Sequence, residues 1–279
     1  MTVHSSTRND LAVPYDDSHG DTLIALKDVD LVYDVNGPRP FPALQEISIN
    51  LNQGDFICAI GPSGCGKTSL LRVLAGYETP TYGAVSVDGR QHTKPDAEVG
   101  VVFQQPNLFP WLSIEKNVGF GPRMKGIDRH ERRQRVSRFL DMVSLVPAAK
   151  KLPFQLSGGM KQRAAIARAL AADPKVILMD EPFGALDAFT RESMQMSLHD
   201  IWKKTNKTIF FITHDVEEAL LLSTRIILMY PNPGRIVEDI ANPFSAMLSE
   251  MPPSDLRVSK EFIEMREYLV RRIKESGEY

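Results

Sequence analysis

Cysteine is scarce in this 279-residue chain, long apolar runs are absent, and the charge is nearly balanced. Two cysteines, Cys58 and Cys65, are too few for a disulfide framework or a thiolate metal cluster, which fits a reducing compartment. No apolar run reaches the roughly 18 residues that a membrane-crossing helix needs, so the chain is not itself a membrane pore. The net charge of −2 provides no cationic field for nucleic acid.

The remaining composition, 43% apolar and 24% charged, is that of an ordinary globular protein. Residues 1–22 have no apolar core, and we expect a disordered tail that is not a secretory signal. One folded domain is expected over residues 23–245. A C-terminal helical tail at 246–279 is expected to dock on that domain, because Phe262, Met265, Leu269 and Ile273 recur at helical spacing.

Short apolar segments alternate with segments of helical period along most of the chain. The apolar patterns predict strands at 23–26, 29–33, 47–51, 56–60, 82–89, 176–179, 208–212 and 226–229. Helical spacing predicts helices at 68–75, 128–146, 160–171, 189–204 and 216–222. Since this alternation is typical of a parallel sheet covered on both faces, the predicted fold class is α/β with a largely parallel sheet.

A glycine-rich loop follows the predicted strand at 56–60. Residues 61–68 read GPSGCGKT, which fits G-x-x-x-x-G-K-[ST] between a strand and a helix. The glycines allow successive backbone amides to point at phosphate oxygens. Lys67 brings a positive charge to the β and γ phosphates, and Thr68 offers a hydroxyl to Mg²⁺. The pattern therefore predicts a phosphate-binding site.

Two adjacent carboxylates, Asp180 and Glu181, end another predicted strand. Ligands of open α/β sheets lie at the carboxyl ends of strands. There Asp180 is placed to hold Mg²⁺ through water, and Glu181 to orient and deprotonate a water at the γ-phosphate. Adjacent carboxylates also occur in solvated turns, so this interpretation depends on the phosphate loop.

Gln104 and His214 each follow an apolar segment that ends near the same edge of the predicted sheet. A neutral imidazole at His214 can bridge the γ-phosphate and the attacking water. The amide of Gln104 can contact Mg²⁺ or that water. For either residue alone, a polar side chain satisfied near a strand end remains the alternative.

Ser157, Gly158 and Gly159 precede the alanine-rich helix at 160–171. Ser157 is a natural N-cap, and the two glycines leave backbone amides open at a helix end that attracts anions. The alternative is merely a well-capped helix. A second anion site has a use in a head-to-tail dimer, where this segment of one copy closes over nucleotide held by the other.

In this order, the segments resemble the ATP-binding subunits of ABC transporters. Residues 61–68, Gln104, LSGGM at 156–160, VILMDE at 176–181, ALD at 185–187 and His214 look like the Walker A, Q-loop, signature, Walker B, D-loop and H-loop. The signature is specific to the family, although Met160 stands where Gln is commoner. The resemblance spans about 23–245 and implies a P-loop NTPase cassette. Its parts would be a mostly parallel core sheet, an N-terminal antiparallel β subdomain and an inserted α-helical signature subdomain at about 106–172.

The resemblance also implies site roles, with ATP and Mg²⁺ as the bound groups. The implied catalytic residues are Glu181, His214, Gln104 and Lys67, and the implied metal ligands are Thr68, Gln104 and Asp180. The implied ATP-binding residues are Tyr33, Gly61, Pro62, Ser63, Gly64, Cys65, Gly66, Lys67, Thr68 and Ser69, with Ser157, Gly158, Gly159 and Asp187 acting across the dimer. Tyr33 resembles the aromatic residue that stacks on adenine, with a core role as the alternative and Phe41 as a rival.

A narrower resemblance points to the importer group for taurine, alkanesulfonates and nitrate. It rests on residues 101–104, 108–111, 180–191 and 262–268, and MREY at 265–268 most resembles the taurine members. It implies a peripheral subunit on the cytoplasmic face of the bacterial inner membrane. The implied partners are a second ATP-binding subunit (a homodimer), membrane permease subunits and, through them, a periplasmic or extracellular solute-binding protein. The apolar loop at 107–111 is the candidate permease contact, with core packing as the alternative for Trp111.

Two other functions remain as alternatives. A P-loop phosphotransferase would need an acceptor pocket and usually a mobile arginine-rich lid, and LSGGM at 156–160 has no role in such an enzyme. A non-transport ABC ATPase acting on ribosomes or DNA commonly carries two cassettes or long coiled-coil insertions. This sequence shows neither feature.

Overall fold

The computed structural model describes residues 12–16 and 21–276, and its strands form two sheets. The strands are β1 (Thr22–Tyr33), β2 (Phe41–Asn52), β3 (Phe56–Ile60), β4 (Tyr82–Val87), β5 (Arg90–Gln91), β6 (Val99–Val102), β7 (Val176–Asp180), β8 (Thr208–Ile212), β9 (Arg225–Tyr230) and β10 (Arg235–Ala241). Most coincide with predicted strands. The edge strand β10 was not predicted, because its mostly half-buried residues do not form an apolar run.

The larger sheet has the order β10-β9-β3-β8-β7-β6 and is parallel except for β10, which runs antiparallel to β9. Every residue of β3, β7 and β8 is buried, as expected for strands covered on both faces. Because β8 pairs with both β3 and β7, the carboxyl ends of these three strands meet at one edge of the sheet. The predicted α/β class with a mostly parallel sheet is confirmed.

The smaller sheet is antiparallel, in the order β2-β1-β4-β5. Strand β1 runs unbroken for 12 residues with register shifts, where the sequence predicted two short strands. Its inward side chains, including Ile24 and Leu26, share one apolar core with Leu70 and with Leu178 of the larger sheet. The smaller sheet thereby lies over the helix that follows β3, next to the glycine-rich loop.

Ten α-helices are found among the described residues. They are α1 (Lys67–Leu74), α2 (Ile114–Val118), α3 (Phe120–Met124), α4 (Arg129–Met142), α5 (Gly158–Ala171), α6 (Ala188–Thr205), α7 (Val216–Leu222), α8 (Phe244–Met247), α9 (Pro253–Arg257) and α10 (Lys260–Glu275). Helices α2 to α5 are inserted between β6 and β7, which confirms the predicted helical subdomain. Within the described part of the chain, no helix combines the length and apolarity that spanning a bilayer requires.

Side-chain hydrogen bonds determine where several helices begin and how they pack. Asp128 and Ser157 cap α4 and α5 by accepting from backbone amides of the first turn. On α6, Trp202 packs edge-on against Phe56, and its indole N–H donates to the Gly54 carbonyl at 2.9 Å. This contact ties α6 to the start of β3.

Part of the expected N-terminal tail is ordered. Residues 12–16 pair with β10: the Tyr15 amide donates to the Asp239 carbonyl at 3.0 Å, and the Ala241 amide donates to Val13 at 2.9 Å. The Arg225 guanidinium lies 3.9 Å from the centre of the Tyr15 ring, which is a cation–π contact. The prediction of disorder over 1–22 is therefore wrong for 12–16. Residues 1–11 and 17–20 lie outside the described residues.

The C-terminal helix α10 packs on the body of the chain. Phe262, Met265 and Leu269 are buried in the main core, as their helical spacing predicts. Two polar contacts reinforce this docking: the Tyr268 hydroxyl donates to Glu238 of β10 at 2.8 Å, and Arg266 pairs with Glu217 of α7 at 2.8 Å. Helix α10 therefore connects β10 with α7.

Candidate nucleotide site

The phosphate loop connects the buried strand β3 to α1. The loop needs glycine at two positions where its backbone lies very close to neighbouring strands and also adopts a positive φ. A Cβ atom on Gly61 (φ 149°) would lie 2.3 Å from the Met229 carbonyl oxygen, and one on Gly66 (φ 90°) would lie 2.8 Å from Leu44. The glycines at 61 and 66 thus let the loop fold tightly against β9 and β2.

Lys67 places its ammonium inside the loop. Its Nζ donates to the carbonyls of Gly61 at 2.8 Å and Pro62 at 2.9 Å, and lies 3.6 Å from the Cys65 sulfur. Burial raises the pKa of the Cys65 thiol, against the opposing effect of Lys67, so the thiol stays neutral under the loop. The ammonium is the one charged group that the loop itself brings to a phosphate.

Thr68 and Asp180 come together where α1 meets the end of β7. The Thr68 hydroxyl donates to the Asp180 carboxylate at 3.1 Å. Burial raises the pKa of Asp180, while the Thr68 hydrogen bond and Lys67 oppose the rise. A hydroxyl and a carboxylate are hard oxygen ligands of the kind that Mg²⁺ prefers, so these two residues fit a magnesium site beside the loop.

Gln104 and His214 converge on Glu181. The Gln104 amide donates to Glu181 Oε2 at 3.1 Å, and His214 Nδ1 lies 3.5 Å from Glu181 Oε1. Glu181 itself has a φ of 44°, in the left-handed region, and its amide donates to the Ile212 carbonyl at 3.0 Å. The structure therefore brings together three residues that the sequence could only place near strand ends.

An open pocket of about 340 Å³ covers the phosphate loop. Residues 63–69 form its floor, and Glu181 and Phe41 contribute to its walls. Phe41 is 58% exposed, whereas Tyr33, its register partner across β1 and β2, is half-buried and donates its hydroxyl to Ser69 at 3.4 Å. Of the two aromatic candidates for an adenine contact, Phe41 is the one that lines this pocket.

The Ser157–Gly159 segment does not line that pocket. Ser157 is exposed and accepts the Met160 amide at 3.4 Å, as predicted for an N-cap, and nothing lies near the Cβ position of Gly158. Gly159 packs against the backbone at Ala185, close to Asp187, which caps α6 through the Thr190 amide at 3.0 Å. Hydrogen bonds from Thr190 lower the pKa of Asp187. Ser157, Gly158, Gly159 and Asp187 thus form a second group, apart from the phosphate loop.

Sequence reasoning did not identify the contacts that hold the Gln104 loop in place. Gln162 of α5 donates to the Phe103 carbonyl at 3.1 Å, and Arg168 donates to the carbonyls of Asn107 and Pro106 at 2.7 and 3.2 Å. Both donors lie on the helix that Ser157 caps. Gln162 and Arg168 are six residues apart, which is about 120° around the helix, so their spacing does not place them on one face. The sequence also contains no sign of which carbonyls they reach. Helix α5 thus links the second group to Gln104.

The fold and the site define a P-loop nucleotide-binding protein of the α/β class. Residues 44–184 match the family described as ABC transporter. The Taurine import ATP-binding protein TauB of Jannaschia sp. (strain CCS1) is 45% identical over 252 residues, covering 90% of this chain and 94% of the relative. The protein of the same name from Chromobacterium violaceum is 49% identical over 230 residues, covering 82% and 88%.

A solved structure agrees with these sequence relatives. The dimeric post-hydrolysis state of the ATP-binding cassette MJ0796, bound to ADP and Pi, superposes with a TM-score of 0.70 at 33% identity, covering 78% of this chain and 98% of that chain. This chain belongs to the ABC transporter family. The resemblance read from its motifs is confirmed.

Proposed function

We propose that the chain is the ATP-hydrolysing subunit of an importer that takes up taurine or a related small sulfonate through a separate membrane permease. The names of the relatives support the solute class. The main support for ATP hydrolysis is the convergence of Gln104 and His214 on Glu181, beside the phosphate loop. Importers of the group that this sequence resembles also include those for nitrate, so the test below compares uptake of nitrate with uptake of the sulfonates.

The loop and its surroundings would hold ATP with Mg²⁺. Lys67 and the backbone amides of the loop bind the β and γ phosphates, and Phe41 or Tyr33 supplies the aromatic contact to adenine. Thr68, Asp180 and the amide oxygen of Gln104 are the metal ligands. Bound there, Mg²⁺ would neutralise charge on the phosphate oxygens.

Glu181 would act as the general base. Its carboxylate takes a proton from a water whose oxygen bonds to the γ-phosphorus as the bond to the β–γ bridging oxygen breaks. Contacts on both carboxylate oxygens, from Gln104 and His214, restrict where that carboxylate points. His214 would contact the γ-phosphate.

A second copy would complete the site. The Ser157–Gly159 segment presents a capped, open helix end that does not line its own phosphate pocket, so a head-to-tail dimer is the arrangement that puts it on the γ-phosphate. Hydrolysis followed by release of phosphate removes the charge shared by the two copies, and the closed dimer opens. Asp187, on the neighbouring D-loop, would link the two sites.

The loop at 107–111 would contact the permease on the cytoplasmic face of the inner membrane. Buried Asn117 accepts the Phe109 amide at 2.8 Å and donates to the carbonyls of Phe109 and Leu112, which holds the loop rigid. Trp111 projects from it and is 73% exposed. Beside it lies a groove of about 590 Å³ with an apolar floor and a rim that includes Arg123, Arg129, Arg132 and Arg133. This surface suits an amphipathic permease segment with acidic side chains, and a solute-binding protein would act through the permease.

The test begins with Glu181→Gln. We expect the variant to bind ATP, to form a stable ATP-dependent dimer, and to hydrolyse ATP roughly 10²- to 10⁴-fold more slowly, because the base is lost. Nucleotide binding, dimer mass and phosphate release measure the three effects. Normal turnover would exclude Glu181 as the base. A phosphorylated small molecule in place of free phosphate would indicate a phosphotransferase.

The solute is tested with the chain, its permease and the solute-binding protein together in vesicles. ATP-dependent uptake of labelled taurine, an alkanesulfonate and nitrate is compared, with Glu181→Gln as the inactive control. We expect taurine or the sulfonate to accumulate. Uptake of nitrate alone would replace the proposed solute, and copurification with ribosomes instead of a permease would indicate a non-transport ATPase.

A further inference from the structure

Glu218 is a buried carboxylate on α7 for which the proposed hydrolysis has no use. It is 6% exposed. Gln195 of α6 donates its side-chain amide to Glu218 Oε1 at 2.8 Å, and the Thr213 hydroxyl also hydrogen-bonds the carboxylate. A buried carboxylate without such partners would be costly, so its position depends on these hydrogen bonds.

Glu218 is hydrogen-bonded to both neighbours of His214 in the sequence, Thr213 and Asp215. Thr213, which hydrogen-bonds Glu218, precedes His214 and accepts the Asp215 amide at 3.0 Å. Asp215 follows His214 and caps α7 by accepting the amides of Glu217 and Glu218 at 2.9 and 3.2 Å. The two residues that flank His214 are therefore fixed to each other and to Glu218.

The same carboxylate also reaches the catalytic side of the fold. A cavity of about 60 Å³ is lined by Glu181, Arg191, Thr213, His214, Asp215 and Glu218, among others. On α6, Arg191 donates to the Leu186 carbonyl at 3.0 Å, directly before Asp187. Gln195, one turn further along α6, makes the hydrogen bond to Glu218. Helix α6 thus connects the D-loop to the His214 loop through this one buried carboxylate.

We propose that Glu218 is a positioning residue of ATP hydrolysis, which holds His214 against Glu181 by anchoring Thr213 and the start of α7 to α6. The proposal rests on the proposed function and adds to it a residue that touches neither nucleotide nor water. A small displacement of His214 loosens one of the two contacts on the Glu181 carboxylate. Misplacement of catalytic groups by about 1 Å can cost 10²-fold in rate.

Hydrogen bonding rather than charge is what this role requires. Burial raises the pKa of Glu218, with Asp215 adding to the rise, while hydrogen bonds from Thr213 and Gln195 and the charge of Arg191 oppose it. The other ionisable groups around it are Glu181 and His214 across the cavity and Cys58 on β3. A glutamine at 218 can accept from Gln195 through its oxygen and donate to the Thr213 hydroxyl.

The experiment compares Glu218→Met with Glu218→Gln in the full chain. Glu218→Met preserves much of the volume but removes the hydrogen bonds. We expect its kcat to fall by roughly 10- to 100-fold, while its Kd for a fluorescent ATP analogue stays near the wild-type value. Glu218→Gln should keep most of the wild-type kcat. Gln195→Met should show the same separation of kcat from Kd, with a non-additive double variant.

Asn242→Ala is the matched control, because buried Asn242 anchors the other end of α7 by donating to the carbonyls of Leu220 and Ser223 at 2.8 and 2.6 Å. It should lower the melting temperature and leave kcat unchanged below the transition. A wild-type kcat in Glu218→Met overturns the proposal, as does an equal loss of kcat in the glutamine variant or in Asn242→Ala. Inactive Glu181→Gln with fully active Glu218→Met would leave the proposed function intact and refute only the positioning role.

Discussion

At the scale of single residues, the site combines groups of very different predictability. Lys67 and Thr68 belong to a local pattern whose spacing alone determines their place where the phosphate loop enters α1. Glu218 belongs to no such pattern, since its partners Thr213 and Gln195 come from β8's end and from another helix. The choice between Tyr33 and Phe41 shows the same limit: the two residues pair across β1 and β2, and only the folded chain shows that Phe41 lines the pocket.

The raised pKa of Glu218 predicts a pH-dependent stability. The folded chain retains this proton over a pH range in which an unfolded glutamate has already lost it, so the free energy of unfolding falls as pH rises through that range. Glu218→Gln has no such proton. We expect the variant to gain stability relative to wild type from the ordinary glutamate range upward, as measured by urea unfolding in a series of buffers. If the free energies of unfolding of Glu218→Gln and wild type differed by the same amount at every pH, this prediction would be contradicted.

At the scale of elements, buried strands and amphipathic helices follow directly from sequence period, whereas edges do not. Strands β3, β7 and β8 are apolar except for Asp180 and Thr208 at strand ends, and they were predicted. Strand β10 and the pairing of residues 12–16 with it were not, because edge pairing uses backbone groups that any sequence carries. The helix α10 was predicted from the spacing of Phe262, Met265 and Leu269, which is the face that it buries.

Helix α10 supplies a prediction about stability. Leu269 is fully buried, so Leu269→Ala should lower the free energy of unfolding by about 2–5 kcal/mol, through lost burial and the cavity left behind. Val270, the next residue, is 36% exposed, and Val270→Ala is the matched control with a small effect. Urea denaturation measures both variants. Equal losses in the two would mean that α10 does not dock through this face.

At the scale of the whole molecule, the proposed hydrolytic site and the proposed permease contact lie on different parts of the chain. The phosphate loop, Glu181 and His214 lie at the carboxyl edge of the larger sheet, and the exposed loop at 107–111 belongs to the helical subdomain. Helix α5 joins them, since Gln162 donates to the Phe103 carbonyl just before Gln104. Arg168 donates to the carbonyls of Pro106 and Asn107, where that loop begins. The sequence indicated both parts but not this connection, which depends on how α5 packs.

This separation predicts a variant that uncouples the two activities. Trp111→Ala should leave ATP affinity and the fold unchanged, because the side chain is 73% exposed, and should reduce solute uptake and copurification with the permease. Tyr82→Ala, which removes a comparably exposed ring (67%) from β4, should leave both unchanged. Uptake in vesicles and pull-down of the permease are the measurements. Full uptake with Trp111→Ala would place the contact elsewhere.

The chain has only two tryptophans, and their surroundings differ. Trp202 is packed on Phe56 and hydrogen-bonded to Gly54, while Trp111 faces solvent. The two indoles therefore differ in emission wavelength and in access to a soluble quencher. The native protein therefore carries an optical reporter of the permease contact proposed for Trp111, whose red-shifted, quenchable emission would respond while that of Trp202 serves as an internal reference.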